Sequence, residues 1–419
     1  MQPSEIQLEQ ICGRIEAVKA FPGGLYAKKL ADIDPAYITT KEAFEALPFT
    51  EKDELREGYP LGIQAVPDEE IVRIHSSSGT TGTPIIIPYT KQDVEDWATM
   101  FARCYEVAGI TKSDRIHITP GYGLWTAGIG FQLGCEKLGA MAIPMGPGNT
   151  DKQLKMMVDL KSTVLCATSS YALLLAEEIA KRGIGDQIHL KKGIIGSERW
   201  GDKMRARIAN ELGVELYDIY GLTEIIGPGV AFECEAQTGM HVNEDHFIIE
   251  ILDPATGEPV KDGEKGEIVF SCITKEAFPL LRFRTKDIGT ITHEKCSCGR
   301  TFVRMSKPMG RTDDMLIIRG VNVFPSQIET VLLQMDQSPN YRIVVDRKGA
   351  LDTLEVQVEL SEEKFSDTVS EITKVEKDIT EKLKSLLGIA AKVTLVAPGT
   401  IERSEGKAKR VVDRRTLVD

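Results

Sequence analysis

The chain has 419 residues, 42% hydrophobic and 27% charged, an ordinary globular composition that excludes disordered, collagen-like and low-complexity scaffolds. Its 63 acidic residues outweigh 51 basic ones, for a net charge of −12. Such a field repels nucleic acid and anionic membrane on average, and the strongest basic run, Lys407-Ala408-Lys409-Arg410, is short and mixed with Glu402, Glu405 and Asp413.

The N-terminus has no apolar stretch of signal-peptide length. The charge-free window 116–135 contains five glycines, a proline and His117, which makes it a poor membrane helix. A cytoplasmic location is expected. Eight cysteines, six of them scattered singly, do not form a disulfide framework.

In chain order, residues 1–60 read as helices and turns, with one helix at 41–46 and a second capped by Thr50. From 71 to 245, strand-like runs (71–74, 85–87, 115–118, 163–166, 193–195) alternate with helical stretches (90–109, 151–160, 171–182, 202–212). This alternation predicts α/β layers with a largely parallel sheet. Between 247 and 291, the turns Asp253-Pro254-Ala255-Thr256-Gly257 and Lys261-Asp262-Gly263-Glu264 predict antiparallel β structure. From about 311 a compact α+β module follows: strand 315–318, helix 325–335, strands 341–346 and 353–360, helix 365–387 and strand 392–396.

The segment Ser76-Ser77-Ser78-Gly79-Thr80-Thr81-Gly82-Thr83-Pro84 lies between two strand runs. Hydroxyls, backbone N–H groups and glycines let such a loop cradle phosphates. It is neither a Walker A loop nor a dinucleotide fingerprint, because no lysine follows Gly82 and no G-x-G-x-x-G occurs. Composition alone equally allows a polar surface turn.

The loop resembles the signature of the adenylate-forming superfamily, which includes acyl-CoA synthetases and adenylation domains. Four more motifs follow in order. Tyr220-Gly221-Leu222-Thr223-Glu224 resembles the aromatic-Gly-x-Thr-Glu motif. Arg282-Phe283-Arg284-Thr285-Lys286-Asp287 resembles the ribose-binding motif, with Lys286 where glycine is usual. Gly310-Arg311-Thr312-Asp313-Asp314 resembles the hinge. Arg403-Ser404-Glu405-Gly406-Lys407 resembles the C-terminal lysine loop, with Glu405 where serine is common. Within the superfamily, residues 313–329, 404–411, 296–301 and 47–50 are similar to phenylacetate–CoA ligases.

The resemblance implies a multi-subdomain α/β N-terminal domain (1–309), a hinge (310–314) and a small mobile α+β C-terminal domain (315–419). It implies a two-step reaction. A carboxylate attacks the α-phosphate of ATP to give an acyl-adenylate and pyrophosphate, and coenzyme A then displaces AMP to give the thioester. Ser77, Ser78, Gly79, Thr80, Thr81 and Gly82 would hold phosphates, and Glu224 would offer Mg²⁺ a hard oxygen. Asp287 would accept hydrogen bonds from the ribose hydroxyls. Ser197, Glu198, Tyr220, Gly221 and Thr223 would line the nucleotide site, Arg311 would contact ribose or phosphate, Asp313 would be the pivot and Lys407 would reach the α-phosphate. Tyr122, Trp125 and Gly128 would wall the acyl pocket.

The expected function is therefore an AMP-forming carboxylate–CoA ligase for phenylacetate or a related aryl acid, with no nucleic-acid or membrane partner. A homodimer is an analogy from the family. The alternatives are an adenylyltransferase of the deazaflavin-coenzyme type and a non-catalytic adenylate-binding protein.

Cys296-x-Cys298 before Gly299 forms a knuckle-like half-site, and Cys234 with His241 could supply the second half of a closed Cys₃His zinc site. His246 is a competing ligand, and four residues without a metal are the alternative to both.

Overall fold

The structure is a computed structural model that describes residues 3–21, 24–77, 83–198, 200–313, 316–319, 321–335, 337, 340–348, 351–360, 369–403 and 410–415. Ser78 to Gly82 and Lys407 lie outside the described residues. The chain divides into two compact units, one formed by 1–167, 184–197 and 215–308, the other by 168–183, 198–214 and 309–419.

The first unit is organised around a nine-stranded mixed sheet. Its order is Ile291–Thr292, Arg304–Met305, Met240–Val242, Gly227–Glu233, Glu215–Leu222, Lys192–Gly196, Val164–Thr168, Arg115–Ile118 and Met141–Pro144. The parallel pairs lie toward one end, where Arg115–Ile118 pairs with both Met141–Pro144 and Val164–Thr168. All five residues of Val164–Thr168 are buried, so the strand reads as a continuous apolar run. From Glu215–Leu222 to the other edge the pairing is antiparallel. The sheet is thus only partly parallel, because its later strands are joined by short turns rather than by crossover helices.

Two further expectations are corrected. The runs around 71–74 and 85–87 are not strands of the large sheet: Arg73–Ser76 and Ile86–Tyr89 form a separate antiparallel pair, in which Ser76 faces Ile86. Thr50 does not cap the next helix. Lys52–Glu57 is capped by Glu51, while the Thr50 hydroxyl is buried, donating to the Leu281 carbonyl (2.7 Å) beside the Tyr26 hydroxyl.

Two helices pack closely against one another. Helix Lys91–Val107 begins at a capping box between Thr90 and Asp93 and buries Trp97, Met100, Phe101, Cys104 and Tyr105 at helical spacing. Helix Thr126–Leu138 was not foreseen, because its glycine-rich sequence scores poorly for helix. Its glycines are explained by packing. A Cβ on Gly130 would stand 2.6 Å from Trp97 Cζ2, and one on Gly134 2.6 Å from Phe101 Cβ.

The strands Phe247–Leu252, Gly266–Cys272 and Phe283–Gly289 pair antiparallel, as their turn chemistry predicts. In the second unit a four-stranded sheet runs in the order Lys392–Val396, Leu351–Glu359, Tyr341–Lys348, Val411–Asp413. Ile343, Val345, Leu354, Val356 and Val358 alternate into a core shared with helices Pro325–Gln334 and Val369–Leu387. Among the described residues, no helix is long and apolar enough to cross a membrane.

Candidate adenylate site and a cysteine–histidine cluster

Ser77 opens the loop between the two strands of the hairpin. Its hydroxyl accepts from the Ile85 N–H (3.0 Å) and its own N–H donates to the Ile85 carbonyl, which pinches the loop's base. The neighbouring Ser76 N–H donates to the Leu124 carbonyl (2.8 Å).

Tyr220 and Asp287 are 67 residues apart in sequence, yet the Tyr220 hydroxyl donates to Asp287 Oδ2 at 2.7 Å. Both side chains are buried, and the Tyr220 ring stacks on Phe270. Asp287 is held through its backbone, since its N–H donates to the Thr285 hydroxyl, which donates to the Ile268 carbonyl. Lys286 occupies a left-handed backbone conformation, φ +65°. That geometry is why glycine suits this position. Here the lysine is tied down instead. Its N–H donates to Glu267 Oε1 (3.0 Å) and its ammonium lies 2.7 Å from Glu51.

Gly221 sits where the strand carrying Tyr220 meets its neighbour, Gly227–Glu233, and a Cβ there would lie 2.0 Å from the Gly227 carbonyl oxygen. Thr223 and Glu224 occupy the turn between these strands. The Thr223 hydroxyl is 3.1 Å from that of Thr126 at the start of helix Thr126–Leu138. Glu224 is 4% exposed. Lys52 Nζ stands 2.8 Å from its Oε1 in an orientation that makes an ion pair but leaves the oxygen without a directed hydrogen bond. A buried, under-satisfied carboxylate oxygen suits a hard cation such as Mg²⁺.

The remaining candidates fall as follows. Ser197 follows a strand in a left-handed conformation, φ +68°. Glu198 Oε2 accepts from the Ser169 hydroxyl and the Ser170 N–H, fastening the N-terminus of helix Ser169–Arg182. Arg311 pairs bidentately with Asp313, at 2.8 and 2.9 Å. Tyr122 is half-buried, and its hydroxyl is buried without a hydrogen-bond partner. Trp125 is half-exposed. The space left by Gly128 is taken by the Tyr122 ring and by the Pro120 and Gly121 carbonyls, where a Cβ would meet atoms at 2.7–2.8 Å.

Sequence reasoning missed three groups around the turn that carries Glu224. Lys275 Nζ donates to the Ile225 carbonyl (2.8 Å), the Tyr89 hydroxyl to Ile226 (3.0 Å) and Trp97 Nε1 to Pro228 (2.8 Å). Burial lowers the Lys275 ammonium to about 8, opposed by the nearby Asp93 carboxylate. Nothing local in sequence marks these three as neighbours.

Cys234, His241, Cys296 and Cys298 converge, their ligand atoms all within 4.8 Å of one another. Cys234 Sγ lies 3.7 Å from Cys296 Sγ, and Cys298 Sγ lies 3.4 Å from His241 Nε2. Tetrahedral zinc with Zn–S bonds of about 2.3 Å separates two sulfurs by about 3.8 Å, so the donors match such a polyhedron. His241 Nδ1 donates to the Phe302 carbonyl (3.1 Å), which turns the Nε2 lone pair toward the thiols. Burial pushes the Cys234 thiol up to about 12. Burial acts the same way on Cys296, but hydrogen bonds from the Cys298 N–H and the neighbouring thiols outweigh it and bring Cys296 down to about 7. His246 is not part of the cluster; its Nδ1 contacts the Thr274 hydroxyl at 2.8 Å.

Comparison with known proteins identifies the family. Residues 18–273 match the AMP-binding enzyme family and residues 320–415 the AMP-binding enzyme C-terminal domain. A phenylacetate–coenzyme A ligase of Thermus thermophilus is 45% identical over 401 residues, covering 92% of this chain and 90% of that protein. One from Escherichia coli is 44% identical over 400 residues, covering 94% and 91%. A crystal structure of 2-hydroxyisobutyryl-CoA ligase in the postadenylation state superposes with a TM-score of 0.88 at 29% identity, over 99% of this chain and 91% of that one. With five ordered motifs, the paired Tyr220 and Asp287, and relatives that match nearly end to end, the chain belongs to the adenylate-forming enzymes and, within them, to the phenylacetate–CoA ligase family of AMP-forming acid–CoA ligases.

Proposed function

We propose that this chain activates an aryl carboxylic acid, phenylacetate or a close relative, as its coenzyme A thioester. The observation that carries the reading is the 2.7 Å bond between Tyr220 and Asp287, beside a turn whose Glu224 oxygen is buried and under-satisfied. Asp287 accepts from the ribose hydroxyls. The pinched loop that begins at Ser77 receives the phosphates. Glu224 holds Mg²⁺, which neutralises phosphate charge when bound. A substrate carboxylate oxygen then bonds to the α-phosphorus as pyrophosphate leaves. In the second step the thiol sulfur of coenzyme A bonds to the acyl carbon and AMP departs with the C–O electrons.

Arg311 and Lys407 are the cations we assign to the phosphates, with residues 310–314 as a hinge and 315–419 as the moving part. The Arg311–Asp313 pair supports a hinge assignment, since a bidentate contact can be exchanged for a phosphate. Tyr122 and Trp125 form the aryl wall in this reading, and zinc ties the cysteine–histidine cluster together as a structural element. Eight free thiols suit a reducing cytoplasm. Relatives named as coenzyme A ligases, covered over about nine-tenths of their length, favour this acceptor over adenylyl transfer or a non-catalytic role.

The test is pyrophosphate and AMP release across a panel of acids, with and without coenzyme A. Sustained turnover should require coenzyme A and be fastest with aryl acids. A preference for acetate or long-chain acids would overturn the substrate, and steady turnover without coenzyme A would overturn the acceptor.

A further inference from the structure

The turn bearing Glu224 is held from outside by three side chains that take no part in the reaction as described. Lys275, Tyr89 and Trp97 each donate one hydrogen bond, to the carbonyls of Ile225, Ile226 and Pro228 respectively. All three are fully or almost fully buried, Lys275 at 2% exposure. They also brace one another. Lys275 Nζ stands 4.4 Å above the Tyr89 ring centroid, and the Tyr89 and Trp97 rings stack at 5.6 Å. The backbone that follows Lys275 is pinned in turn, since the Asp93 carboxylate accepts from the N–H groups of Glu276 (2.7 Å) and Ala277 (3.0 Å).

A buried ammonium is a costly way to satisfy one carbonyl, because desolvating the charge opposes folding. Its return must come from what the carbonyl belongs to. Ile225 directly follows Glu224, and its carbonyl belongs to the 225–226 peptide, so holding that carbonyl restrains the turn from which the Glu224 side chain leaves the backbone. Within the turn itself the Ile225 and Ile226 N–H groups both reach back to the Leu222 carbonyl, at 3.1 and 3.2 Å. Beyond those two bonds the turn is tied by the Thr223–Thr126 hydroxyl contact and the Lys52–Glu224 ion pair, neither of which holds the Ile225 or Ile226 carbonyl.

We propose that Lys275, braced by the Tyr89 ring, is a positioning residue that sets the Glu224 carboxylate for the cation accompanying ATP. This rests on the assignment of Glu224 above. The charge clamps the turn through the Ile225 carbonyl. Removing the donor loosens the turn, so Glu224 spends less time in the binding orientation and more cation is needed to fill the site. Removing the charge relieves its desolvation but leaves the Ile225 carbonyl and the nearby buried Asp93 carboxylate less compensated, so melting is read alongside the two readouts.

The experiment compares Lys275→Met, Lys275→Gln, Tyr89→Phe and Glu224→Gln in the full chain. Two readouts are taken: the Mg²⁺ concentration giving half-maximal pyrophosphate release at saturating ATP, and amide hydrogen exchange over residues 221–229 without nucleotide or metal. Lys275→Met should raise the half-saturating Mg²⁺ at least tenfold and speed exchange of the Ile225 and Ile226 amides by a similar factor, beyond what any fall in melting temperature accounts for. Lys275→Gln keeps a donor and should recover most of both effects. Tyr89→Phe keeps the ring but loses the bond to Ile226, and should show a several-fold version of each effect even if Lys275→Met fails to fold. Unchanged exchange and Mg²⁺ dependence in folded Lys275→Met or Tyr89→Phe would overturn the proposal, as would loss of activity only in step with the unfolded fraction. If Glu224→Gln left Mg²⁺ dependence unaltered, the assignment of Glu224 itself would fall, an outcome distinct from failure of the clamp.

Discussion

Replacing Gly221 by alanine tests whether the register of the strand bearing Tyr220 places the site. The added Cβ would lie 2.0 Å from the Gly227 carbonyl oxygen and 2.7 Å from Gly227 C and Pro228 Cα, all backbone atoms. Restoring an ordinary contact of 3.4 Å requires a retreat of about 1.4 Å by one of two paired strands. Gly227 has no room to give, since its own Cα side is closed by the Trp97 indole and Thr126. The pairing of Gly221 with Pro228 and of Leu222 with Gly227 must therefore open. Overpacking of this kind costs about 1–3 kcal/mol. A displacement of about 1 Å at catalytic groups lowers rates about 100-fold. We expect Gly221→Ala to lower kcat/KM for ATP-dependent pyrophosphate release about 100-fold or more, with a melting temperature lower by several degrees. Gly185→Ala is the control, because its Cβ would meet nothing within 4 Å. Activity of Gly221→Ala within threefold of the unaltered protein would refute the reasoning.

Three further outcomes are expected. Purified protein should contain about one equivalent of zinc by metal analysis, and Cys298→Ser should lose it together with thermal stability, because folding and metal binding at a closed site are linked. Stability should fall as pH drops from 6.5 toward 4: burial holds His75 and His117 down at about 4, so the unfolded chain takes up protons first, at a cost on the order of 3 kcal/mol for His117 by pH 4, less for the more solvent-screened His75, and little above pH 6.5. Denaturant titrations at pH 7 and 4.5 check this, and His117→Asn should flatten the slope. Gly13→Ala, inside helix Glu5–Ala20 with nothing within 4 Å of the new Cβ, should stabilise the protein by about 0.5–1 kcal/mol, read from the urea midpoint.

The motifs were legible because their chemistry is local. A Ser/Thr/Gly loop between two strand-like runs is visible without knowing which sheet the strands join. That these strands form a sheet of their own instead of joining the large one is set by tertiary packing that no local spacing shows. Helix Thr126–Leu138 was hidden for a similar reason: propensity counts its glycines against it, whereas the Trp97 and Phe101 rings from another helix require them. The cysteine–histidine cluster was half legible. The Cys296-x-Cys298 knuckle is a spacing, but the choice of His241 over His246 rests on tertiary placement: His241 lies on strand Met240–Val242 beside the thiols, whereas His246 lies beyond that strand against Thr274. The clamp of Lys275, Tyr89 and Trp97 left no trace in spacing, since its three members come from three separate elements.

Lys286 shows how a departure in one motif residue can be absorbed by residues outside the motif. A non-glycine residue at φ +65° carries backbone strain of about 1 kcal/mol or more. Arg282, four residues earlier, is also left-handed, at φ +43°. Both strained positions lie against a buried charge. Glu267 accepts from the Lys286 N–H while pairing with Arg284, and Glu250 holds Arg282 through two bonds, at 3.1 and 2.8 Å. A backbone N–H bonded to a fully buried carboxylate is bound more strongly than one bonded to a neutral oxygen. That difference is of the size needed to offset the strain, and the bond persists only while the kink does. Lys286 thus holds the left-handed conformation that glycine readily adopts, and the ribose contact proposed for Asp287 does not require a glycine before it.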